Sequence, residues 1–182
     1  MDPSRIERFT ALYDTWHPNV HAYVVSRAGR QLADEAVNDT FMVAWRRLDD
    51  IPEPTLPWLL GVARNVVRQQ FRATARDESL QAEMVTWAAV EHPANDIADG
   101  VTERAAVLRA LASLPEADRE LLTLVAWHGL SSRDAAKVVG CSQPTYFVRL
   151  HRARRRLETA LADSAAEPAP ALIPAFAKEI AR

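Results

Sequence analysis

The segment Leu130 to Leu157, LSSRDAAKVVGCSQPTYFVRLHRARRRL, packs a helix stop and a helix start so closely that few architectures can accommodate it. Ser131 followed three residues later by Asp134 has the form of a capping box, in which hydroxyl and carboxylate satisfy amides that the first helical turn leaves without partners. Gly140 then ends that helix as a C-cap. Ser142 offers the next N-cap, and Pro144 falls in a first turn, where a missing N–H costs little. The pattern predicts a short helix, a tight turn and a long helix from Ser142 to about Ala162. Along the long helix Tyr146, Leu150, Ala153, Leu157 and Leu161 recur at spacings of three and four and share an inward face.

The opposite face carries Phe147, Val148, Arg149, His151, Arg152, Arg155 and Arg156. A helix of this length spans roughly 30 Å, enough to lie along a DNA major groove with its N-terminal half at base edges and its arginines near phosphates. The segment therefore reads as a helix-turn-helix. The plain alternative is a helical hairpin whose charged face is only solvated.

The remaining chain predicts an all-α protein of two small helical domains. Of 182 residues only five are glycine, no Asn-Gly or Asp-Gly hairpin dipeptide occurs, and apolar spacing is mostly helical. The lone Cys141 excludes an intrachain disulfide framework. No apolar run approaches the roughly 20 residues of a membrane span, and the N-terminus MDPSRIERF lacks a signal-peptide pattern, so a cytoplasmic location is expected. The net charge of −2 conceals a strong asymmetry. Seven of the 24 acids lie between Asp77 and Glu103, a stretch without Lys or Arg, which leaves 17 acids against 22 basic residues elsewhere, a flanking excess of +5. That acidic stretch contains Pro93 and Gly100 and reads as a flexible linker over 77–101. The expected units are 1–76 and 102–162, followed by an Ala- and Pro-rich tail, 163–182, with a short helix around Ala175 to Ala181.

Within the first unit, Ile6, Phe9, Leu12, Tyr13, Trp16 and Val20 mark an amphipathic helix expected to break or bend near Pro18. A second helix is expected from Leu32 to Leu48, with Ala33, Val37, Thr40, Phe41, Ala44 and Leu48 packed inward. Asp49 to Pro57, DDIPEPTLP, has three prolines in nine residues and predicts a loop. A third helix is expected from Trp58 to about Arg76. It carries Arg64, Arg68, Arg72 and Arg76, each four apart, a row of like charges that repel by a few tenths of a kcal/mol per pair unless an anion compensates. A phosphate backbone would compensate them, and so would acids on neighbouring helices.

The motifs F-x-x-A-W-R (Phe41 to Arg46), W-L-x-x-x-A-R-N (Trp58 to Asn65), L-P-x-x-x-R-E (Leu114 to Glu120), G-L-S (Gly129 to Ser131) and R-L-H-R-A-R (Arg149 to Arg154) stand in the order and spacing of one family. Over about residues 6 to 76 and 103 to 161 the chain resembles the extracytoplasmic-function (ECF) sigma factors of bacteria, group 4 of the sigma-70 family. The resemblance implies a non-enzymatic initiation factor that binds core RNA polymerase, recognises promoter DNA and assists its opening. Its polymerase contacts would be the clamp helices of the largest subunit and the flap of the second largest. Glu35, Asn38 and Asp39, with the aromatics Phe41 and Trp45, match the positions of the clamp contact, although Phe41 and Trp45 serve a core equally well. The loop and third helix match the minus-ten reader: Asp49, Asp50, Ile51 and Glu53 would shape a pocket for an unstacked base, and Arg64, Asn65, Arg68 and Arg72 would hold the strand. Trp58 fits helix packing better than base stacking.

In the second unit Thr145, Phe147, Val148, Arg149, His151, Arg152, Arg155 and Arg156 match the minus-thirty-five interface. The chain departs from the family there, with Pro144 at a usually small position, Phe147 where Lys or Arg is common and Val148 where Ser is common. Losing a polar reader at Phe147 removes a bidentate contact to guanine and favours a thymine methyl. The resemblance also implies an anti-sigma factor, for which Met84, Val85, Trp87 and Val90 in the linker would offer an apolar surface. Ala171, Leu172, Ile173, Phe176 and Ile180 in the tail would add a contact to polymerase, to an inhibitor or back onto the second unit, with disorder the default. The active protein would be nucleoid-associated, tethered to a membrane only indirectly through such an inhibitor.

A second class of reading is a free-standing helix-turn-helix regulator that binds duplex DNA without polymerase. It leaves the arginine row of the first unit unexplained. No cofactor is implied, and there is no nucleophile motif, phosphate loop or metal signature. His17 and His21 are four apart, but no carboxylate or thiol follows them at ligand spacing. Cys141 reads as a small buried residue.

Overall fold

The computed structural model describes residues 3–81 and 100–166. Among these the chain forms seven α-helices and no strand: α1 (Pro3–Ala28), α2 (Ala33–Arg46), α3 (Thr55–Gln81), α4 (Gly100–Ser113), α5 (Glu116–Ala126), α6 (Ser132–Val139) and α7 (Gln143–Ala166). A 3₁₀ turn at Leu48–Asp50 follows α2. Helices α1, α2 and α3 pack on one another, α5, α6 and α7 form a second group, α4 lies along α7, and α6 packs against α3. The all-α architecture is therefore as expected.

Several boundaries differ from the sequence reading. Helix α1 passes through Pro18 unbroken. Asp14 and Pro18 both lie on the exposed side, where solvent can take the carbonyl that loses its donor, while Val20, Tyr23 and Val24 beyond the proline are fully buried and hold the helix on course. Helix α3 begins at Thr55, not Trp58, and takes Pro57 into its first turn, the one part of a helix where proline loses nothing. Glu53 supports that start: its carboxylate accepts bonds from the Thr55 amide and hydroxyl, both 3.2 Å. The same helix continues to Gln81, so the first residues assigned to the linker are helical. Met84, Val85, Trp87, Val90 and the tail residues Ala171, Leu172, Ile173, Phe176 and Ile180 lie outside the described residues, as does the helix expected at Ala175 to Ala181.

The inward positions of α2 were all legible: Ala33, Val37, Thr40, Phe41, Ala44 and Leu48 are buried. Thr40 satisfies its buried hydroxyl by donating to the Ala36 carbonyl at 2.7 Å. Leu59 and Leu60 of α3 join them, and Leu124, Ala135, Val139, Tyr146 and Leu150 extend the same hydrophobic cluster into the second group of helices. Each fully buried leucine contributes roughly 1.5–3 kcal/mol of transfer free energy.

The helix-turn-helix forms as its punctuation predicts. Ser131 Oγ accepts the Asp134 amide at 3.1 Å and donates to the Asp134 carboxylate at 2.6 Å, and Lys137 reaches the same carboxylate at 2.9 Å. Those bonds, the serine's first, hold the Asp134 carboxyl below its ordinary pKa. Gly140 ends α6 in the left-handed region at φ +73°. Ser142 meets the Thr145 amide at 3.4 Å and its hydroxyl at 2.8 Å at the start of α7. Tyr146 is fully buried and donates to the Leu121 carbonyl at 2.8 Å; burial raises its hydroxyl to about 12, which keeps it a donor. Cys141 is half-buried and unpaired by disulfide.

Because a Cβ at Gly140 would meet no atom within 4 Å, the penalty of a side chain there is purely conformational. Gly140→Ala should cost about 1 kcal/mol, seen in thermal unfolding as a fall of roughly 2–4 °C; an unchanged midpoint would mean the turn relaxes freely.

Candidate nucleic-acid interface

The predicted contact positions fall on three surfaces. On α2, Glu35, Asn38 and Asp39 are exposed on one polar face, opposite the buried Phe41. Phe41 sits within an aromatic group: its ring lies 4.6 Å from Tyr13, 6.0 Å from His17 and 6.4 Å from Phe9. Trp45 is half-buried, edge-on to Phe9 at 5.1 Å, with the Arg5 guanidinium 5.2 Å over its ring. Burial makes Phe41 a core residue that holds α2 against α1, and the available partner-facing groups are the polar three. His17 and His21 stack within the same row, and among the described residues no cluster suits a metal ion.

The second surface joins the loop after α2 to α3. Asp50 is exposed and Ile51 half-buried. Asp49 is exposed but engaged, at 2.9 Å to both Arg5 and Arg8, so it braces the loop against α1 at a value of about 0–1 kcal/mol for such surface pairs. An open cleft of about 520 Å³ runs between this loop, α3 and the end of α6, lined among others by Arg47, Trp58, Arg64, Asn65, Arg68 and Lys137. Trp58 packs on the core and also forms one wall of the cleft.

The arginine row divides. Arg68 and Arg72 are exposed, and among the described residues neither forms an ion pair, whereas Arg64 is drawn inward. Its Nε donates to Glu120 Oε1 at 2.9 Å and a terminal nitrogen reaches Oε2 at 3.4 Å. Glu120, on α5, is 3% exposed and also accepts the Tyr23 hydroxyl at 2.6 Å and pairs with Arg27 at 3.2 Å. Arg27 spans further to Glu116 at 2.8 Å. Burial alone would lower the Arg64 pKa, but the hydrogen bond and charge of Glu120 outweigh it and hold the guanidinium charged. Burial, then the Glu120 charge, push the Tyr23 hydroxyl far above its ordinary range, so it stays a donor. His128, edge-on to Tyr23 at 5.7 Å, has its pKa lowered by burial.

This carboxylate was missed in the sequence reading although two signals pointed to it. Glu120 interrupts the apolar stripe of α5 beside Leu121 and Leu124, where a charge needs a buried partner. Tyr23 with Arg27, and Glu116 with Glu120, are also two pairs at helical spacing of four, able to face each other as matched ladders.

The third surface is α7. Thr145, Phe147, Val148, Arg149, His151, Arg152 and Arg155 are exposed, with Phe147 and Val148 each about half accessible despite their apolar character. Arg156 is exposed but pairs with Asp118, tying α7 to α5.

Comparison with known proteins agrees with this geometry. Residues 12–77 match the model of Sigma-70 region 2 and residues 104–157 that of Sigma-70, region 4. The ECF RNA polymerase sigma factor EcfG of Rhodopseudomonas palustris is 31% identical over 153 residues, covering 82% of this chain and 83% of that one. The RNA polymerase sigma factor NccH of Alcaligenes xylosoxydans xylosoxydans is 32% identical, covering 78% and 86%. The ECF RNA polymerase sigma factor BldN of Streptomyces coelicolor is 30% identical over 87% of this chain, which spans 62% of BldN. Among solved structures, the sigma factor RpoE in complex with the anti-sigma factor NepR from Bartonella quintana superposes with a TM-score of 0.69 at 27% identity, over 85% of this chain and 96% of that one. CnrH, solved with the cytosolic domain of CnrY, gives 0.58 at 27% identity, over 85% and 88%. The chain belongs to the sigma-70 family, as one of its extracytoplasmic-function sigma factors.

Proposed function

We propose that this sigma factor binds core RNA polymerase through the polar face of α2, reads and holds the opened minus-ten strand with the cleft and α3, and reads the minus-thirty-five duplex with α7. Residues 1–76 would form the polymerase and minus-ten unit and residues 102–162 the minus-thirty-five unit, which also meets the polymerase flap. The observation that carries the reading is the exposed pair Arg68 and Arg72, without an ion pair among the described residues, beside a cleft of about 520 Å³. Like charges at this spacing are unfavourable by themselves, and an external phosphate would compensate the two that Glu120 does not reach. No nucleotide hydrolysis is required for strand capture, since binding energy for the unstacked base and its backbone suffices. Relatives solved with anti-sigma factors support an inhibitor of that kind here as well. Among the described residues no helix is long and apolar enough to cross a membrane, in keeping with a cytoplasmic protein tethered, if at all, through its inhibitor.

The acidic face of α2 complements a basic partner and steers encounter. Asp39→Arg should abolish co-purification with bacterial core polymerase while leaving the fold intact; a folded variant that still associates would remove α2 from the interface, and a wild-type chain that ignores polymerase but binds duplex DNA would establish the free-standing regulator instead. Arg68→Ala with Arg72→Ala should weaken promoter opening, read by permanganate reactivity, more than initial duplex capture, read by mobility shift. Equal losses would reduce the row to general phosphate docking. Arg152→Ala should relax discrimination within the minus-thirty-five element by about 1–3 kcal/mol at one base pair, whereas uniform weakening across sequences would make it a phosphate contact.

A further inference from the structure

Two cations near the start of the chain hold the minus-ten loop from a long way off in sequence. Arg5 and Arg8 lie ahead of residues 12–77, the span that matches Sigma-70 region 2, so that match does not account for them. Arg5 meets three groups at once. Its Nη1 donates to Asp49 Oδ2 at 2.9 Å, its Nη2 donates to the Trp45 carbonyl at 2.8 Å, and the guanidinium lies 5.2 Å over the Trp45 ring. Arg8 donates to the other oxygen of Asp49, also at 2.9 Å.

The Trp45 carbonyl is the informative acceptor. It stands in the last turn of α2, where carbonyls have run out of helical amides to accept. The chain then tightens into the 3₁₀ turn Leu48–Asp50, in which the Asp50 amide donates to the Arg47 carbonyl. Arg5 therefore caps α2 from another helix, with its charge at the end where the helix dipole favours a cation. The same planar fork grips Asp49, so one side chain ties the end of α2 to the start of the loop. The far end of the loop is held by Glu53, which accepts from the Thr55 amide and hydroxyl at the start of α3.

Of the four residues expected to shape the base pocket, Asp49 and Glu53 are thus occupied in holding the loop. Asp50 between them is exposed, and among the described residues its carboxylate forms no hydrogen bond or ion pair. We propose that Arg5, assisted by Arg8, is the positioning residue of the minus-ten reader: it sets how the chain leaves α2 and hence where Asp50 and Ile51 meet the base, while Asp49 is a strut that reads nothing. The proposal rests on the minus-ten role given to this loop above. Exposed pairs of this kind add little to stability, whereas a displacement of about 1 Å at a contact is costly in function. Loss of Arg5 should accordingly show in base discrimination before it shows in folding.

The test uses the full-length chain assembled with core polymerase. The probes are fluorescein-labelled single strands carrying each of the four bases, position by position, in the minus-ten strand that the wild-type holoenzyme selects from a randomised pool; affinity is read by anisotropy. Arg5→Ala should lower the preference at the base facing the loop about fivefold, the worth of one lost hydrogen bond, with polymerase co-purification unchanged. Asp49→Ala, which leaves the Trp45 contact in place, should lower it about twofold. The double variant should lose clearly less than the product of the two, because both substitutions act through one contact. Arg5→Lys, whose single ammonium cannot serve both acceptors, should lose about twofold and carries the test if Arg5→Ala loses helical circular dichroism. Unchanged preference in the folded Arg5 variant overturns the proposal. So does a loss of affinity equal for all four bases, the signature of a phosphate contact or of general loosening, and so does a multiplicative loss in the double variant, which would make Asp49 a base contact in its own right. A wild-type holoenzyme with no base preference in the single strand removes the minus-ten reading itself, whereas a preference that survives Arg5→Ala removes the positioning role alone.

Discussion

A buried carboxylate ties the two halves of this molecule together, beside the packing of α6 on α3. Glu120 draws on Tyr23 and Arg27 from α1 and on Arg64 from α3, and each of these groups is itself withdrawn from water by the contact. Removing one partner from such a group leaves uncompensated buried charge, which is why the arrangement behaves as a unit. Around it, α6 packs on α3 and His128 closes against Tyr23, so the position of the helix-turn-helix relative to the first three helices depends on that carboxylate. The fold of each half does not: α2 and α3 have their own inward faces, and Tyr146 anchors α7 to α5 within the second half.

The net negative charge of the chain conceals two cationic helices. The cations are distributed over α3 and α7: the first of the α3 row is neutralised internally, while Arg68, Arg72 and most of α7 are exposed. The exposed arginines can attract DNA at a distance.

Local chemistry was legible in the sequence, and long-range pairing was not. The capping bonds of Ser131 and the left-handed Gly140 follow from neighbours within three residues, and the inward face of α2 follows from its period. The errors arose where tertiary packing overrode a local signal. Pro18 is a helix breaker in isolation, yet α1 continues through it on a solvated side; Pro54 and Pro57 suggested a longer loop, yet Glu53 and Thr55 start α3 between them. Phe41, for which the sequence left core and partner contact open, is sealed among Phe9, Tyr13 and His17. Glu120 was visible as part of the L-P-x-x-x-R-E motif, but its partners lie 97 and 56 residues away at Tyr23 and Arg64, a separation no spacing rule reveals.

The central claim, that Glu120 holds the second group of helices against α1 and α3, is tested most directly by an interdomain distance. With Cys141 replaced by serine, fluorophores at the exposed positions Asp14 and Glu158, each changed to cysteine, report the separation of α1 from α7 by single-molecule energy transfer. The account predicts one high-transfer population in the wild-type chain and a shift to low transfer when Glu120→Gln is introduced. A free chain that already shows low transfer, or one whose transfer ignores the Glu120 substitution, would contradict it.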